Sequence, residues 1–265
     1  MISNIDEIVD TLNNAKRRGA KCSVLLGAGC SVSAGIPSAQ GFIEIIKKQY
    51  PAKYNRATNI SYSNCMAQLS IDERRDLIRE FTSKEIINWG YIALAQLTKD
   101  GFVDQILTTN FDSLILRASA LLGDFPAVYD LTVAKEFDHN KAVEKSVLFL
   151  HGQQHGFITL NTEAEFSEFD KNLKSVFYDA ANRIWIIVGY SGLSDPVFEH
   201  LAEVKQFENS LYWVGYFDEK PAAHILEKIL VPGKDTVWVK GFDFDSFFVT
   251  LARNLLIFEK SKSIN

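Results

Sequence analysis

The sequence contains little cysteine and no long apolar run. Its three cysteines, Cys22, Cys30 and Cys65, are irregularly spaced within the first quarter of the 265-residue chain. An odd number of cysteines with this spacing predicts neither a disulfide framework nor a four-ligand zinc site. The longest apolar stretches, such as 184–188, are far too short to cross a bilayer, and residues 1–19 lack the apolar core of a signal peptide. We therefore expect a protein of the reducing cytoplasm that has no metal site and no membrane span.

An excess of either charge is also missing. The 28 Lys and Arg residues stand against 33 Asp and Glu, and the net charge is -5. Because no block of like charge is longer than a few residues, we expect no direct binding of nucleic acid. What the chain has instead is apolar material, since 47% of its residues are hydrophobic. This is enough for one large core, and we expect a single domain over residues 1–265.

Alternating strand and helix patterns predict the fold class. Short runs that are apolar on both faces predict buried strands at 22–26, 103–107, 147–150, 184–188, 211–214 and 236–239. Helical spacing predicts helices at 5–16, 113–122, 196–207, 221–230 and 244–258, and the third and fourth of these open with a proline. The alternation indicates a Rossmann-like α/β fold, with a mostly parallel sheet and helices on both faces.

One long interval interrupts this alternation. About seventy residues separate the first two predicted strands, and the helical stretches 41–48, 71–81 and 84–97 occupy the part from about 41 to 98. We expect a helical insertion or lid over the sheet edge. Ligands of parallel α/β folds bind at the carboxyl ends of the strands, so we expect the binding residues in the segments that follow each strand.

Closely spaced glycines follow the first predicted strand, in the run Gly27-Ala28-Gly29-Cys30-Ser31. Such a loop lets a pyrophosphate approach the backbone, although a tight structural turn has the same composition. The dehydrogenase fingerprint requires a third glycine where this chain has Val32, so a hydride-transfer site is disfavoured.

Polar residues follow the next strands. Asn110 and Asp112 come after 103–107, where they can contact a ligand or cap a helix. His151 ends the run 147–150, where it suits proton transfer near neutral pH or serves as a buried structural histidine. Gly189, Tyr190 and Ser191 follow 184–188, in a loop that binds phosphate or ribose, or that is a turn capped by Ser194 or Asp195.

In this order, the loops resemble the motifs of the sirtuin family. The matching segments are 27–37, 109–112, 151–152 and 189–191. They resemble the sirtuin nucleotide-binding loop, its Gln-Asn-Ile-Asp segment with threonine in place of glutamine, its catalytic His-Gly pair and its Gly-Thr-Ser loop. The matches run from about residue 21 to about 245.

The resemblance implies a role for each matched residue. Asn110 would orient a water molecule or the ribose, Asp112 would hold the nicotinamide carboxamide, and His151 would act as the base. The residues expected to bind NAD are Gly27, Ala28, Gly29, Ser31, Thr109, Asp112, Gly189 and Ser191.

Two departures from the family narrow the expected function. Protein-deacylating sirtuins carry two Cys-x-x-Cys pairs after the catalytic histidine, and this chain has no cysteine after Cys65. The acidic-aromatic-arginine triplet that often follows Gly-Ile-Pro is replaced by Ser-Ala-Gln at 38–40. The pattern resembles the zinc-free sirtuin-like effector domains of bacterial antiphage defence proteins, which degrade NAD and require an asparagine and a histidine at the positions matching Asn110 and His151.

The resemblance therefore implies an NAD hydrolase that releases nicotinamide and ADP-ribose, with NAD as substrate and no metal. Because unrestrained NAD hydrolysis is toxic, we expect control by a sensor partner, a fused domain or assembly into a homo-oligomer. Two alternatives stay open. One is a zinc-free NAD-dependent protein deacylase or ADP-ribosyltransferase, which would need an acceptor. The other is a non-catalytic module that senses NAD or ADP-ribose.

Overall fold

The structure is a computed structural model that describes residues 5–83, 85–134, 136–156, 159–193 and 195–262. Its centre is a parallel sheet of seven strands in the order β3-β4-β2-β1-β5-β6-β7. The strands are β1 Cys22–Leu26, β2 Gln105–Thr108, β3 Ala127–Asp130, β4 Ser146–Phe149, β5 Ile184–Val188, β6 Leu211–Tyr216 and β7 Thr236–Phe242. The Rossmann-like parallel α/β fold expected from the sequence is confirmed.

Eleven α-helices are present in the described part of the chain. They are α1 Asp6–Arg18, α2 Ala39–Gln49, α3 Pro51–Tyr54, α4 Tyr62–Ala67, α5 Ile71–Thr82, α6 Trp89–Lys99, α7 Leu114–Leu121, α8 Glu163–Val176, α9 Pro196–Glu203, α10 Ala223–Lys228 and α11 Phe244–Lys262. None of the described helices is long and apolar enough to span a bilayer.

Side chains alternate across the sheet and build two separate cores. Val24 of β1 faces one core, together with apolar residues of α1, α2, α6, α7 and α11. Leu25, the next residue, faces the other, which α8, α9 and α10 cover. Both side chains are fully buried. The strands are therefore apolar on both faces because helices cover both faces, as the sequence pattern predicts.

The chain changes direction across the sheet at β1. Strands β2, β3 and β4 lie on one side of β1, and the chain then crosses to β5 on the other side. Such a switch point leaves a crevice at the carboxyl ends of the strands, which is where parallel α/β folds bind ligands. Here that crevice lies between the loops that follow β1 and β5.

The helices between β1 and β2 share a core with the sheet. Ile46 of α2, Cys65 of α4, Ile78 of α5 and Leu94 of α6 belong to the same buried cluster as Val24. Helix α6 begins at Trp89, and not at 84 as predicted, because the preceding segment is hydrogen-bonded to the loop after β1. The Ile86 amide donates to the Ala34 carbonyl, and the Asn88 side chain caps α6 by accepting from the Tyr91 amide. Lys84 lies outside the described residues.

Three further differences have local physical causes. Strand β3 was not predicted, because as an edge strand it is only partly buried and lacks the apolar run of the central strands. Helix α8 was also missed, although the capping box of Thr162 and Glu165 marks its start. Pro221 does not open α10, which begins at Ala223 after the extended residue Ala222.

Candidate active site

The loops of the site begin at the carboxyl ends of four adjacent strands, β4, β2, β1 and β5. These four loops form one row across the edge of the sheet. Leu26 of β1 is the register partner of Thr108 of β2 and of Val188 of β5, and Thr108 pairs with Phe149 of β4. Neighbouring strands lie about 4.8 Å apart, so the loops leave the sheet side by side. The residues two positions beyond these ends are, in order across the sheet, His151, Asn110, Ala28 and Tyr190.

The glycines of the β1 and β5 loops allow these two backbones to touch. The Gly27 amide donates to the Val188 carbonyl over 3.0 Å, and the Gly29 amide donates to the Gly189 carbonyl over 2.9 Å. A Cβ atom on Gly189, whose φ is +63°, would lie 2.5 Å from the Cys30 nitrogen. The amides of Gly27 and Gly29 are therefore already hydrogen-bonded within the protein. Because these glycines lack side chains, they leave space for a ligand beside the two loops.

A buried polar network joins the β1 loop to the β2 loop and to α6. The Asn110 Nδ2 atom donates to the Gly27 carbonyl over 3.0 Å and to Ser31 Oγ over 3.2 Å. Ser31 Oγ donates to Asp112 Oδ2 over 2.8 Å and lies 2.9 Å from the Tyr91 hydroxyl. All four of these side chains are at least nine-tenths buried. The structure brings together Ser31, Asn110 and Asp112, the three polar residues predicted from the sequence.

The number of available protons fixes which group donates in each hydrogen bond of this network. Ser31 has one hydroxyl proton, which goes to Asp112, so the Tyr91 hydroxyl must be the donor in the Tyr91–Ser31 contact. Burial, reinforced by the nearby charge of Asp112, raises the pKa of Tyr91 and keeps that proton in place. In every hydrogen bond that the Asn110 side chain forms with the described residues, Nδ2 is the donor. The Asn110 Oδ1 atom is thus the acceptor left for a ligand or a water molecule.

Asp112 has two functions in this network. Its Oδ1 atom accepts from the Leu114 amide over 3.1 Å at the start of α7, which is the capping role that its position suggests. Its Oδ2 atom accepts from Ser31. Burial raises the pKa of Asp112 from 3.8 to about 6, against the opposing effect of these hydrogen bonds, and the charge of Glu85 adds to the increase. The site therefore contains a carboxyl group that titrates close to neutral pH.

His151 lies buried at the other end of the row. Its ring centroid is 4.6 Å from that of Phe166 on α8, and its Nε2 atom is 3.4 Å from Asp195 Oδ1. Nε2 forms no hydrogen bond with the described residues. The backbone is held as well, because the His151 carbonyl accepts from the Leu160 amide over 2.8 Å. This imidazole is thus fixed between an aromatic ring and a carboxylate.

The remaining predicted residues lie around this centre. Thr109 Oγ1 donates to the Leu26 carbonyl over 3.3 Å and so fixes the β2 loop to β1. Ser191 is exposed, its hydroxyl accepts from the Leu193 amide over 3.4 Å, and its carbonyl contacts His224 Nε2 at 2.8 Å. Within the described part of the chain, neither side chain forms a hydrogen bond with the buried network. Ala28 begins a single 3₁₀ turn that leads to Ser31.

Three side chains that complete the site were not predicted from the sequence. They are Tyr91, Phe166 and Asp195, which come from α6, α8 and the start of α9. Asp195 was considered only as a cap, and it does cap α9, since Oδ1 accepts from the Val197 amide over 2.9 Å. Ser194, the alternative cap, lies outside the described residues. No signal in the sequence links Tyr91 or Phe166 to the site, because both look like ordinary core aromatics.

Comparison with known proteins identifies the kind of fold. Residues 104–231 match the family model described as SIR2-like domain. A Sir2 homologue solved with NAD has 16% identity and a TM-score of 0.57, over 96% of this chain and 95% of that one. A variant Sir2 homologue solved with ADP-ribose has 15% identity and a TM-score of 0.56, over 98% of both chains. The chain thus has the Rossmann-like fold of sirtuins.

Two curated relatives match over shorter segments. An NAD-dependent protein deacetylase of Haloarcula marismortui is 31% identical over 122 residues, which are 43% of this chain and 43% of that protein. An NAD-dependent protein deacylase of Leishmania major is 32% identical over 108 residues, which are 38% of this chain and 31% of that protein. The matched segments span less than half the length of either relative.

Proposed function

We propose that this chain is a sirtuin-like NAD hydrolase, which cleaves the bond between nicotinamide and ribose. The observation that carries the proposal is the orientation of Asn110 in the loop adjacent to that of His151. The amide nitrogen of Asn110 is committed to the protein, which leaves Oδ1 as its free acceptor, and the neighbouring strand β4 leads to the buried imidazole of His151. An acceptor and a base at the carboxyl edge of the sheet suit the orientation and deprotonation of one water molecule.

The crevice residues fit a dinucleotide. The side-chain-free backbones of Gly27, Gly29 and Gly189 line the switch point between β1 and β5, where a Cβ atom would collide with the facing loop. Asp112 lies in the adjacent loop, and its carboxylate is an acceptor for the amide group of nicotinamide. The likeness to Sir2 homologues solved with NAD and ADP-ribose supports the same ligand class.

The reaction needs few protein groups. The carbon–nitrogen bond breaks with its electron pair going to the nicotinamide ring nitrogen, and neutral nicotinamide leaves. The oxygen of a water molecule attacks the ribose carbon, where positive charge develops, and forms the new carbon–oxygen bond. The proton of this water passes to His151 and then to solvent. The products are nicotinamide, ADP-ribose and one proton. Asn110 Oδ1 would orient the water, and the row of loops would exclude bulk solvent.

The cysteine content favours hydrolysis over deacylation. No cysteine follows Cys65, and the three that exist are buried in three different elements or loops. The chain therefore has no residues for the two Cys-x-x-Cys pairs that help deacylating sirtuins to bind an acyl peptide. Without that groove, water is the acceptor that the site can most readily admit.

A second candidate is transfer to an acceptor, as in a zinc-free deacylase or ADP-ribosyltransferase. The names of the two curated relatives, a deacetylase and a deacylase, favour it. This candidate requires that NAD turnover depend on an added acyl peptide or nucleophile. A sensing module, the third possibility, would bind NAD or ADP-ribose without turnover.

The proposed biological role is depletion of NAD in bacterial antiphage defence. It rests on the sequence resemblance and requires that activity be gated by a sensor partner, a fused domain or assembly into a homo-oligomer. A purified monomer with full, constant activity would contradict gating.

The test is release of nicotinamide from NAD at neutral pH, without any acceptor, by the chain and by its His151→Ala variant. Release of nicotinamide and ADP-ribose in equal amounts, reduced about a hundredfold or more in the variant, is the expected result. Release only after addition of an acyl peptide would replace the hydrolase with the transferase. NAD binding by titration with no release under any condition would leave the sensor.

A further inference from the structure

We propose that Asp195 is a positioning residue for His151, which holds the imidazole proton on Nε2 and leaves Nδ1 as the nitrogen that accepts a proton. The inference rests on the proposed function for its catalytic consequence. The dyad itself rests on the geometry of the loop that follows β5.

Geometry places the carboxylate at one nitrogen of the ring. Asp195 Oδ1 is 3.4 Å from His151 Nε2, and the two side chains are 10% and 6% exposed. Nε2 forms no hydrogen bond with the described residues, and the Asp195 carboxylate is an acceptor that lies within 3.4 Å of it. A neutral imidazole carries one proton, which a neighbouring anion attracts to the nearer nitrogen.

The ring has little freedom to turn away from this carboxylate. Phe166 packs against one face at a centroid distance of 4.6 Å, and the His151 carbonyl is held by the Leu160 amide. Asp195 is equally fixed, because its Oδ1 atom also accepts from the Val197 amide at the first turn of α9. The packed ring and the helix-capping carboxylate are therefore held near each other.

The neighbouring Tyr190 strengthens the case that Asp195 is an acceptor. Burial raises the pKa of Tyr190, and the negative charge of Asp195 raises it further, so the phenol keeps its proton. The Tyr190 hydroxyl and His151 Nε2 are both buried beside this carboxylate, and neither has a hydrogen bond of good geometry with the described residues.

The chemical consequence concerns the proton taken from water. With a proton on Nε2, the lone pair of the ring is on Nδ1, which accepts the proton of the attacking water. The resulting imidazolium is stabilised by the adjacent carboxylate, which does not itself become protonated. The proton balance is that of the hydrolysis, because the proton leaves Nδ1 for solvent after the carbon–oxygen bond forms.

The variant Asp195→Asn removes the negative charge of Asp195 and keeps its role as the cap of α9. Asparagine caps helices as well as aspartate, so the melting temperature should change by less than about 2 °C. We expect kcat for nicotinamide release to fall about 10²-fold or more and KM for NAD to change less than about threefold. Asp195→Glu should recover part of kcat. The matched control is Asp138→Asn, because Asp138 caps the Asn140 amide away from the row and should leave kcat unchanged.

A double variant decides whether Asp195 acts through His151. In a His151→Ala background, Asp195→Asn should lower the residual rate no further, because the group that it positions is gone. An equal fractional loss in both backgrounds, or an unchanged kcat in the single variant, would overturn the proposal.

A spectroscopic readout separates this inference from the proposed function. In protein labelled with ¹⁵N at histidine and recorded at pH 8, His151 should show a protonated Nε2 and an unprotonated Nδ1. The signal is assigned by its loss in His151→Ala. In Asp195→Asn the two nitrogen shifts should approach each other as both tautomers become populated. Identical spectra would refute the dyad, and no NAD cleavage with the expected spectra would refute only the hydrolase.

Discussion

The Ser31 hydroxyl donates a hydrogen bond to the Asp112 carboxylate over 2.8 Å, and both side chains are almost fully buried. This bond joins the loop after β1 to the loop after β2. It uses the only proton of Ser31, so the contacts of Ser31 with Tyr91 and Asn110 must both be bonds that Ser31 accepts. The site is therefore a network with a fixed direction, and each member can be tested by removing one atom or one charge.

Replacement of Asp112 by asparagine should stabilise the protein above pH 6 and weaken its activity. The folded-state pKa is raised from 3.8 to about 6, so the stabilising contribution of the protonated carboxyl is complete below pH 3.8 and is lost as the pH rises through about 6. Above that pH the buried charge lowers the free energy of unfolding by about 3 kcal/mol. The Asp112→Asn variant should recover about 1–3 kcal/mol of this loss. Urea unfolding at pH 5 and pH 8 measures this difference.

The same variant should bind NAD more weakly, because it removes the carboxylate that we propose as the acceptor for nicotinamide. A gain in stability at pH 8 with lower activity would mark Asp112 as a residue kept for function. Equal stability of the two proteins at pH 8 would show that the carboxylate is not destabilising in the fold.

Removal of the Tyr91 hydroxyl should lower activity with a small loss of stability. Tyr91→Phe keeps the packing against Phe244, whose ring centroid is 4.8 Å away, and removes the donor to Ser31. One buried hydrogen bond is worth about 1 kcal/mol, so we expect kcat to fall about fivefold. The matched control is Tyr212→Phe, which removes a 2.9 Å contact with the Thr11 hydroxyl on α1 and a 3.4 Å hydrogen bond to Glu7. It should cost similar stability and leave kcat unchanged.

A methyl group on Gly189 should separate the two glycine loops. Its φ is +63° and the new Cβ would lie 2.5 Å from the Cys30 nitrogen, so Gly189→Ala combines backbone strain with a collision between backbones. Gly19→Ala is the control, since Gly19 has a φ of +72° and no atom within 4 Å of an added Cβ. We expect a loss of about 1 kcal/mol for Gly19→Ala and about 2 kcal/mol more for Gly189→Ala. Equal losses would argue against close contact of the loops.

Truncation of Asn110 should abolish most turnover at a moderate cost in stability. Asn110→Ala removes the donor to the Gly27 carbonyl and the free Oδ1 acceptor, and we expect turnover to fall about a hundredfold. Asn172 is a matched buried amide, because its Nδ2 atom donates to the carbonyls of Leu131 and Ala134. Asn172→Ala should destabilise the fold to a similar degree and keep its rate of nicotinamide release. A comparable fall in both variants would assign the effect to folding.

The sequence by itself predicts the strands at the centre of the fold. Strands β1 and β5 are apolar on both faces and are found at the predicted residues, because only a doubly covered strand needs such a run. Strand β3 has no such pattern, since an edge strand is half exposed and its residues are chosen by a weaker constraint. The apolar pattern therefore detects the central strands and the edge strand β7, which buries two residues, and misses the edge strand β3, which buries none.

The sequence also predicts which loops carry the polar residues, because residues that follow parallel strands meet at one edge whatever the order of the strands. It could single out Ser31, Asn110, Asp112 and His151 on this ground. It could not state how they bond, nor that the amides of Gly27 and Gly29 donate to the end of β5 and to the loop that follows it.

Only the tertiary structure decided the partners of the chemical groups. Tyr91, Phe166 and Asp195 are 60, 15 and 44 positions away in the sequence from the residues that they contact, and local pattern carries no information on such pairs. The raised pKa of Asp112 is likewise a property of burial, which arises when α7 and the β1 loop close around it. Local chemistry thus determined the candidate residues and the sheet, whereas long-range packing determined the orientation, burial and charge environment in which those residues act.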